Sequence, residues 1–293
     1  MGKINDIIYG LINQGIIKND DIDIKKLKSG TTNGILYTLH HNEIPKYVIK
    51  MDKPKLIAAT EAFLLSYKDV NLLPNVLYTD EKKEFIVYSY IFGETHFNRG
   101  SKIEWMTILI KELLNKYKKV NKENWGRVNG IHRNSWVDFN LSSLEFAHED
   151  IGDLLPSEDH KKVELLVNKL KTYEHQEEKY YLHGDAGVHN FVYKGNKLNG
   201  VIDPMPLIGP KIYDFTYAFC SSPDDLNLET LLSSFSLLTQ DVPFNIERLL
   251  EEVIFQLYTR IGVCIRVHPH DLSGYLKAWK EWRLYLPSMN SDS

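Results

Sequence analysis

Residues 180–214, YYLHGDAGVHNFVYKGNKLNGVIDPMPLIGPKIYD, constrain this chain more than any other stretch. His183-Gly184-Asp185 is followed by Asn190, five residues after Asp185, and Asp203 lies thirteen residues beyond Asn190. Between Asn190 and Asp203 two short apolar runs, 191–193 and 198–202, flank the turn residues Lys194-Gly195-Asn196-Lys197. Short apolar runs around such a turn predict a β-hairpin, which folds Asp203 back beside Asn190. Asp185, on the loop leading into the hairpin, is then near both. Two carboxylates and one amide oxygen converge, a set suited to phosphoryl transfer onto a hydroxyl. One Asp accepts the hydroxyl proton, while Asn190 and Asp203 hold Mg²⁺ on the nucleotide phosphates.

The bulk properties fit such a chain and exclude others. At 293 residues it can bury a large core and form two lobes. Lys and Arg number 35 against 39 Asp and Glu, a net charge of −4. No general attraction to nucleic acid or to an anionic membrane follows from that balance, and neither partner is expected. Cys220 and Cys264 are far apart with no motif around them, and read as reduced thiols of a cytoplasmic protein. The first residues, MGKINDIIYG, have no apolar signal region, and no run approaches the length of a membrane span.

The spacing from His183 to Asn190 follows the H-x-D-x-x-x-x-N logic of protein-kinase catalytic loops, with Gly in place of Arg and Asp-Pro in place of Asp-Phe-Gly. It resembles more fully the aminoglycoside phosphotransferase and choline kinase family, whose members carry HGDxxxxN followed by IDxxxxxxGxxxxD. Here those read His183-Gly184-Asp185 to Asn190, and Ile202-Asp203 through Gly209 to Asp214. The resemblance is dense over residues 29–94 and 180–220 and thin over the rest. It implies an α+β, protein-kinase-like bilobal fold. The N-lobe, about 1–93, would be an antiparallel β-sheet of five strands plus one helix, and the C-lobe, 94–293, mainly helical. It also implies Asp185 as catalytic base, Asn190 and Asp203 as Mg²⁺ ligands, and ATP or GTP as phosphoryl donor. His183 would order the loop and Asp214 would brace it.

Along the chain, Ile4, Ile7, Ile8, Leu11 and Ile12 predict a short N-terminal helix. Strands are predicted at 22–27, 35–39, 47–51, 76–78 and 85–91, and a helix at 55–67. Ser29, Gly30, Thr31, Thr32 and Asn33 join the first two strands as a small-residue turn able to drape N–H groups and hydroxyls over phosphates. The turn resembles the family's SGxxN form, with an ordinary β-turn as the alternative. Lys50 on the third strand is assigned to the α- and β-phosphates, paired with Glu61, the only acid of the following helix. By position, the main chain of Ser89, Tyr90 and Ile91 reads the purine edge, with Tyr88 behind the base.

Further helices are predicted at 103–120, 163–173, 246–261 and 271–284, with Trp125, Trp136, Trp279 and Trp282 in the core. Residues 134–160 contain seven acids and no Lys or Arg, and residues 212–247, which include Asp241, likewise contain no Lys or Arg. Each stretch reads either as a solvated face or as a carboxylate wall, with Asp150, Asp153, Asp224 and Asp225 as candidate acceptor contacts. On the second reading the acceptor is a cationic or polyhydroxylated small molecule bearing a hydroxyl. The activity expected is that of an ATP- or GTP-dependent small-molecule kinase. The alternatives are a metabolic kinase of the choline, sugar or amino-alcohol type and a nucleotide-binding pseudokinase with a regulatory role. A pseudokinase would lack one of Lys50, Asp185, Asn190 or Asp203, and all four are present.

Overall fold

The computed structural model describes residues 2–18, 22–27, 34–95, 99–239 and 245–286. The turn made by Ser29, Gly30, Thr31, Thr32 and Asn33 lies outside the described residues, as does Asp241. Five antiparallel strands make the first sheet: β1 (Ile22–Lys26), β2 (Ile35–His41), β3 (Ile44–Met51), β4 (Val76–Thr79) and β5 (Phe85–Ser89), in the order β1-β2-β3-β5-β4. Side chains alternate across a strand, and β3 and β5 use both faces. Ile49 and Val87 pack with Ile4, Ile8 and Leu11 of helix α1 (Gly2–Asn13). Val48, Ile86 and Tyr88 face the other way, into the main core. The same period puts Lys50, two residues from Val48, on that inner face.

Helix α2 (Pro54–Ser66) follows β3, and Pro54 suits its first turn because an N–H there would have no helical partner. Its buried face carries Ile57, Thr60, Phe63 and Leu64. Phe63 meets the His183 ring edge-on, with centroids 5.6 Å apart.

The remaining elements are β6 (Glu94–Thr95), α3 (Lys102–Glu112), β7 (Gly126–Arg127), α4 (Trp136–Ile151), α5 (Ser157–Leu170), β8 (Tyr180–Leu182), β9 (Phe191–Lys194), β10 (Lys197–Val201), β11 (Leu207–Gly209), α6 (Lys211–Phe219), α7 (Leu228–Phe235), α8 (Ile246–Val267) and α9 (Leu272–Trp282). The expected hairpin is β9–β10. Gly195 and Asn196 close it, both at positive φ (55° and 63°), as the strand twist demands of a two-residue turn. β6 pairs with the outer side of β9, and β11 runs between β7 and β8. α8 is the spine of the helical part. Its Leu249, Val253, Ile254, Leu257, Tyr258 and Ile261 are inaccessible to solvent, and α4, α5, α6 and α9 all contact it. Trp125, Trp136, Trp279 and Trp282 are buried. Among the described residues no helix is long and apolar enough to cross a membrane.

Two local expectations fail. The helix predicted over 103–120 stops at Glu112, where Leu113 leaves helical geometry at φ −131° and a 3₁₀ turn, Leu114–Lys116, delivers Tyr117 in extended conformation. No Gly or Pro marks the break; packing makes it, and the Tyr117 hydroxyl thereby reaches Asp214. Helix α4 was not expected at all. Its start is nonetheless written locally, since the Ser135 hydroxyl accepts the Asp138 N–H at 3.0 Å, an N-cap.

Phe63 is fully buried between α2 and the His183 loop. Phe63→Ala should therefore lower unfolding stability by about 3–5 kcal/mol, read from urea denaturation. A loss below about 1 kcal/mol would mean the packing between α2 and the loop does not hold.

Candidate active site

A buried carboxylate holds the loop that follows β8. Asp214, on α6 and inaccessible to solvent, accepts the Gly184 N–H on both oxygens at 3.1 Å and the Tyr117 hydroxyl at 2.6 Å. Burial pushes its pKa up to about 6, against the pull of those hydrogen bonds. Gly184 has φ 77°, and a Cβ there would lie 2.2 Å from the Met205 carbonyl oxygen. Arg127, on β7, donates through Nη1 to the carbonyls of Gly184 and Met205 at 2.7 and 2.6 Å, clasping the two sides of the loop. The His183 ring bridges Ile202 and Asp185: Nε2 lies 3.2 Å from the Ile202 carbonyl, and Nδ1 3.3 Å from the Asp185 N–H. Both contacts are satisfied by the neutral tautomer protonated on Nε2. Burial lowers its pKa to about 4, so the ring stays neutral near pH 7.

Asp185 is the meeting point. Tyr217 donates to Oδ1 at 2.5 Å, and His189 Nε2 lies 3.2 Å from the same oxygen. Asn190 donates from Nδ2 to Oδ2 and to the Asp185 carbonyl, each at 2.9 Å. Burial alone would raise the Asp185 pKa, but His189, Tyr217 and Arg127 outweigh it and bring the value to about 2. The carboxylate is therefore ionised across the physiological range. With Nδ2 engaged, Asn190 keeps Oδ1 for a cation. The Ile202 N–H donates to the Asn190 carbonyl at 2.9 Å, which sets the next residue, Asp203, beside Asn190. Asp203 has φ 56°, a left-handed conformation that Asp visits more readily than most residues. Its Oδ1 is ion-paired with Lys50. Among the described residues no group of three or more His, Cys, Asp or Glu forms a metal cage. One carboxylate and one amide oxygen are nevertheless hard oxygen donors of the kind Mg²⁺ takes.

The expected pairing of Lys50 with Glu61 does not form. Glu61 accepts Lys83 Nζ at 2.6 Å. The buried face of α2 is set by Ile57, Thr60, Phe63 and Leu64, which leaves Glu61 on the flank facing the β4–β5 turn that carries Lys83. Lys50 points instead from the inner face of the sheet to Asp203. In the segment expected to read a purine, the Ser89 and Tyr90 N–H groups already donate to the Asn75 and Lys46 carbonyls at 2.9 Å each. Three residues that contact the loop escaped the sequence reading: Tyr217 on α6, His189 on the loop itself and Arg127 on β7. His189 and Tyr217 stand four residues after Asp185 and three after Asp214, so both carry a positional signal inside the motif itself.

An antiparallel sheet set over a helical body, with a lysine, a hairpin and an HGD loop meeting between them, is decisive. The fold is that of the protein-kinase-like phosphotransferases. Aminoglycoside phosphotransferase APH(2'')-Ib, ADP-bound, is 18% identical over 96% of this chain and 97% of its own, with a TM-score of 0.55. The choline kinase LicA from Streptococcus pneumoniae is 14% identical over 97% of this chain and 98% of its own, TM-score 0.60. The GDP complex of aminoglycoside 2'-phosphotransferase-IIIa is 14% identical over 97% and 99%, TM-score 0.59. No protein-family model matches the sequence, and no curated protein matches it significantly.

Beside the HGD loop of this kinase-like fold lies a cavity of about 410 Å³ between α4, α6 and α8, with Tyr217 and Arg127 in its wall. Of the four carboxylates expected to contact an acceptor, only Asp150 lines it, and Arg266 lies 3.3 Å away. Asp153 is on the exposed 3₁₀ turn after α4. Asp224 accepts from Arg99 at 2.9 Å and Asp225 from the Lys102 N–H at 3.3 Å. Arg283 likewise reaches the buried Asp159 at 2.6 Å. Asp150 is thus the one expected carboxylate in this wall, and Asp150, Asp159 and Asp224 each meet an arginine distant in sequence.

The raised pKa of Asp214 has a thermodynamic consequence. Its folded value, about 6, exceeds the ordinary 3.8, so the stability it contributes is fully present below pH 3.8 and is lost as pH rises through 6. Asp214→Asn should therefore flatten the decline in unfolding free energy between pH 4 and 7 by about 3 kcal/mol relative to the parent protein. Parallel urea-denaturation profiles for the two proteins would assign the titration elsewhere.

Proposed function

We propose that the protein transfers the γ-phosphoryl group of ATP or GTP to a hydroxyl of a small molecule. The observation that carries this reading is the convergence of an ionised Asp185 with Asn190 and the Lys50–Asp203 pair on one loop and hairpin. The acceptor oxygen bonds to the γ-phosphorus, and the bond from that phosphorus to the β–γ bridging oxygen breaks with its electrons left on the nucleoside diphosphate. The hydroxyl proton passes to Asp185. With a pKa near 2, Asp185 is a weak base. It takes the proton late, after holding the hydroxyl in line with the phosphorus.

Mg²⁺, when bound, supplies charge neutralisation on the phosphates, and Asn190 Oδ1 with Asp203 would hold it. Lys50 would face the α- and β-phosphates, and the turn of Ser29, Gly30, Thr31, Thr32 and Asn33 would cover them. The main chain of residues 89–91 would read the purine, chiefly through Ile91, since the N–H groups of Ser89 and Tyr90 are spent. In this reading residues 1–93 bind the nucleotide and 94–293 supply the loop and the acceptor site. Neighbours of the same fold crystallised with ADP and GDP support a nucleotide donor, and neighbours named for aminoglycosides and choline support a small-molecule acceptor. Both cysteines are free and buried, in keeping with a cytoplasmic location.

Two substitutions test the assignment in a coupled nucleotide-turnover assay run against a panel of hydroxylated metabolites. Asp185→Asn should leave nucleotide binding intact and reduce turnover by about 10²–10⁴-fold; parent-level kcat on a confirmed acceptor would remove Asp185 from the mechanism. Asp203→Ala should abolish the Mg²⁺ dependence of nucleotide binding, followed by nucleotide fluorescence during Mg²⁺ titration. An unchanged titration would mean the metal is held elsewhere.

A further inference from the structure

The cavity beside Asp185 carries a charge pattern opposite to the one the acidic sequence stretches suggest. Its charged lining is Arg127, Arg260 and Arg266 against one carboxylate, Asp150, a formal excess of two positive charges. Asp150 and Arg266 face each other, and Arg127 sits in the field of Asp185 and Asp214, so the guanidinium of the wall with no carboxylate beside it is that of Arg260. Arg127 has committed Nη1 to the loop carbonyls, and among the described residues its other guanidinium nitrogens make no hydrogen bond. Arg260 is only 5% exposed. Its Nε donates to the Tyr275 hydroxyl at 3.2 Å and its Nη2 to the Ser221 carbonyl at 3.3 Å. Among the described residues it has no carboxylate partner, and its Nη1 has no protein partner at all.

A buried guanidinium without a counter-charge is expensive, and a bidentate anion is the ligand that planar fork fits. The volume of about 410 Å³ lies in the range of small-molecule sites, roughly 300–1,000 Å³. The wall also carries Asn140, Gln256 and Thr259, neutral groups that can serve hydroxyls. Tyr217 connects this cavity to the reacting carboxylate, because its phenol both lines the wall and donates to Asp185 at 2.5 Å.

We propose that the acceptor bears an anionic group, a carboxylate or a phosphate, which docks on Arg260 and Arg127 in this cavity while its hydroxyl replaces the Tyr217 phenol at Asp185. The inference rests on the phosphotransferase reading of Asp185 and narrows it to a substrate class. An ammonium in the same place would face the Arg260 guanidinium, which has no carboxylate partner among the described residues, and find the one carboxylate of the wall, Asp150, already matched.

The test has two arms on the full chain. In the first, turnover with Mg·ATP and Mg·GTP is measured on a hydroxy acid (glycerate), a polyol phosphate (glycerol 3-phosphate), choline and an aminoglycoside. Turnover on either anion, at least tenfold above that on the cations, is the expected result, and the preferred anion identifies carboxylate or phosphate. In the second, calorimetry follows inorganic phosphate and acetate binding to the parent protein, to Arg260→Gln and to Ser143→Asp. Ser143 lines the cavity on α4, so Ser143→Asp adds a carboxylate to the wall without disturbing the buried Arg260, and it keeps the test open if Arg260→Gln unfolds. Affinity for the better anion should fall at least tenfold in Ser143→Asp. Equal anion affinity in the parent and Ser143→Asp, or turnover confined to the cationic acceptors, overturns the inference. Mg²⁺-dependent nucleotide binding by the parent protein separates this from failure of the underlying reading. If it is present while anions neither bind nor turn over, only the acceptor class is wrong; if it is absent, the phosphotransferase reading fails as well.

Discussion

The interaction on which the rest of the site depends is the buried Asp214 carboxylate at the backbone of Gly184. A carboxylate inaccessible to solvent is costly unless donors surround it, and here the donors are the Gly184 N–H and the Tyr117 hydroxyl. Satisfying that one group fixes three elements at once: α6, which carries Asp214, the turn that delivers Tyr117, and the loop that carries Asp185. Arg127 then ties Gly184 to Met205, so the loop and the segment after Asp203 cannot move independently. Only glycine fits at residue 184, because the carbonyl that Arg127 binds also occupies the space of a Cβ.

The sheet joins this assembly through its inner face. Alternation along β3 turns Ile49 toward α1 and Lys50 toward the hairpin, and the Lys50–Asp203 pair links residues 153 apart in sequence. Phe63 of α2 packs on His183 from the same side. The nucleotide site proposed between sheet and loop is thus bounded by apolar contacts on one side and an ion pair on the other. Asp185 is held ionised by His189, Tyr217 and Arg127 against the pull of its own burial.

Charge is where local composition misleads. Residues 134–160 contain no Lys or Arg, yet Asp150 faces Arg266 and Asp159 faces Arg283. Asp224, in the second acidic stretch, faces Arg99. The field in a cavity is set by what the fold brings to its wall, and α8 brings two arginines to this one. A segment's net charge therefore gives little guidance to the ligand that a neighbouring pocket prefers.

The sequence by itself determined the strand alternation, the β9–β10 hairpin, the burial of the tryptophans and the grouping of Asp185, Asn190 and Asp203. Each of these depends on local chemistry: a two-residue period, a Gly-Asn turn, apolar bulk, or a fixed spacing across one hairpin. Tertiary structure alone decided that Glu61 meets Lys83, that α3 ends at Glu112, that Arg127 reaches the HGD loop, and that arginines line the cavity. Periodicity reports which face of a helix is apolar, but a flank residue such as Glu61 takes whichever partner lies opposite. The break at Leu113 has no Gly or Pro to announce it, because it is imposed by a hydroxyl needed 97 residues away at Asp214.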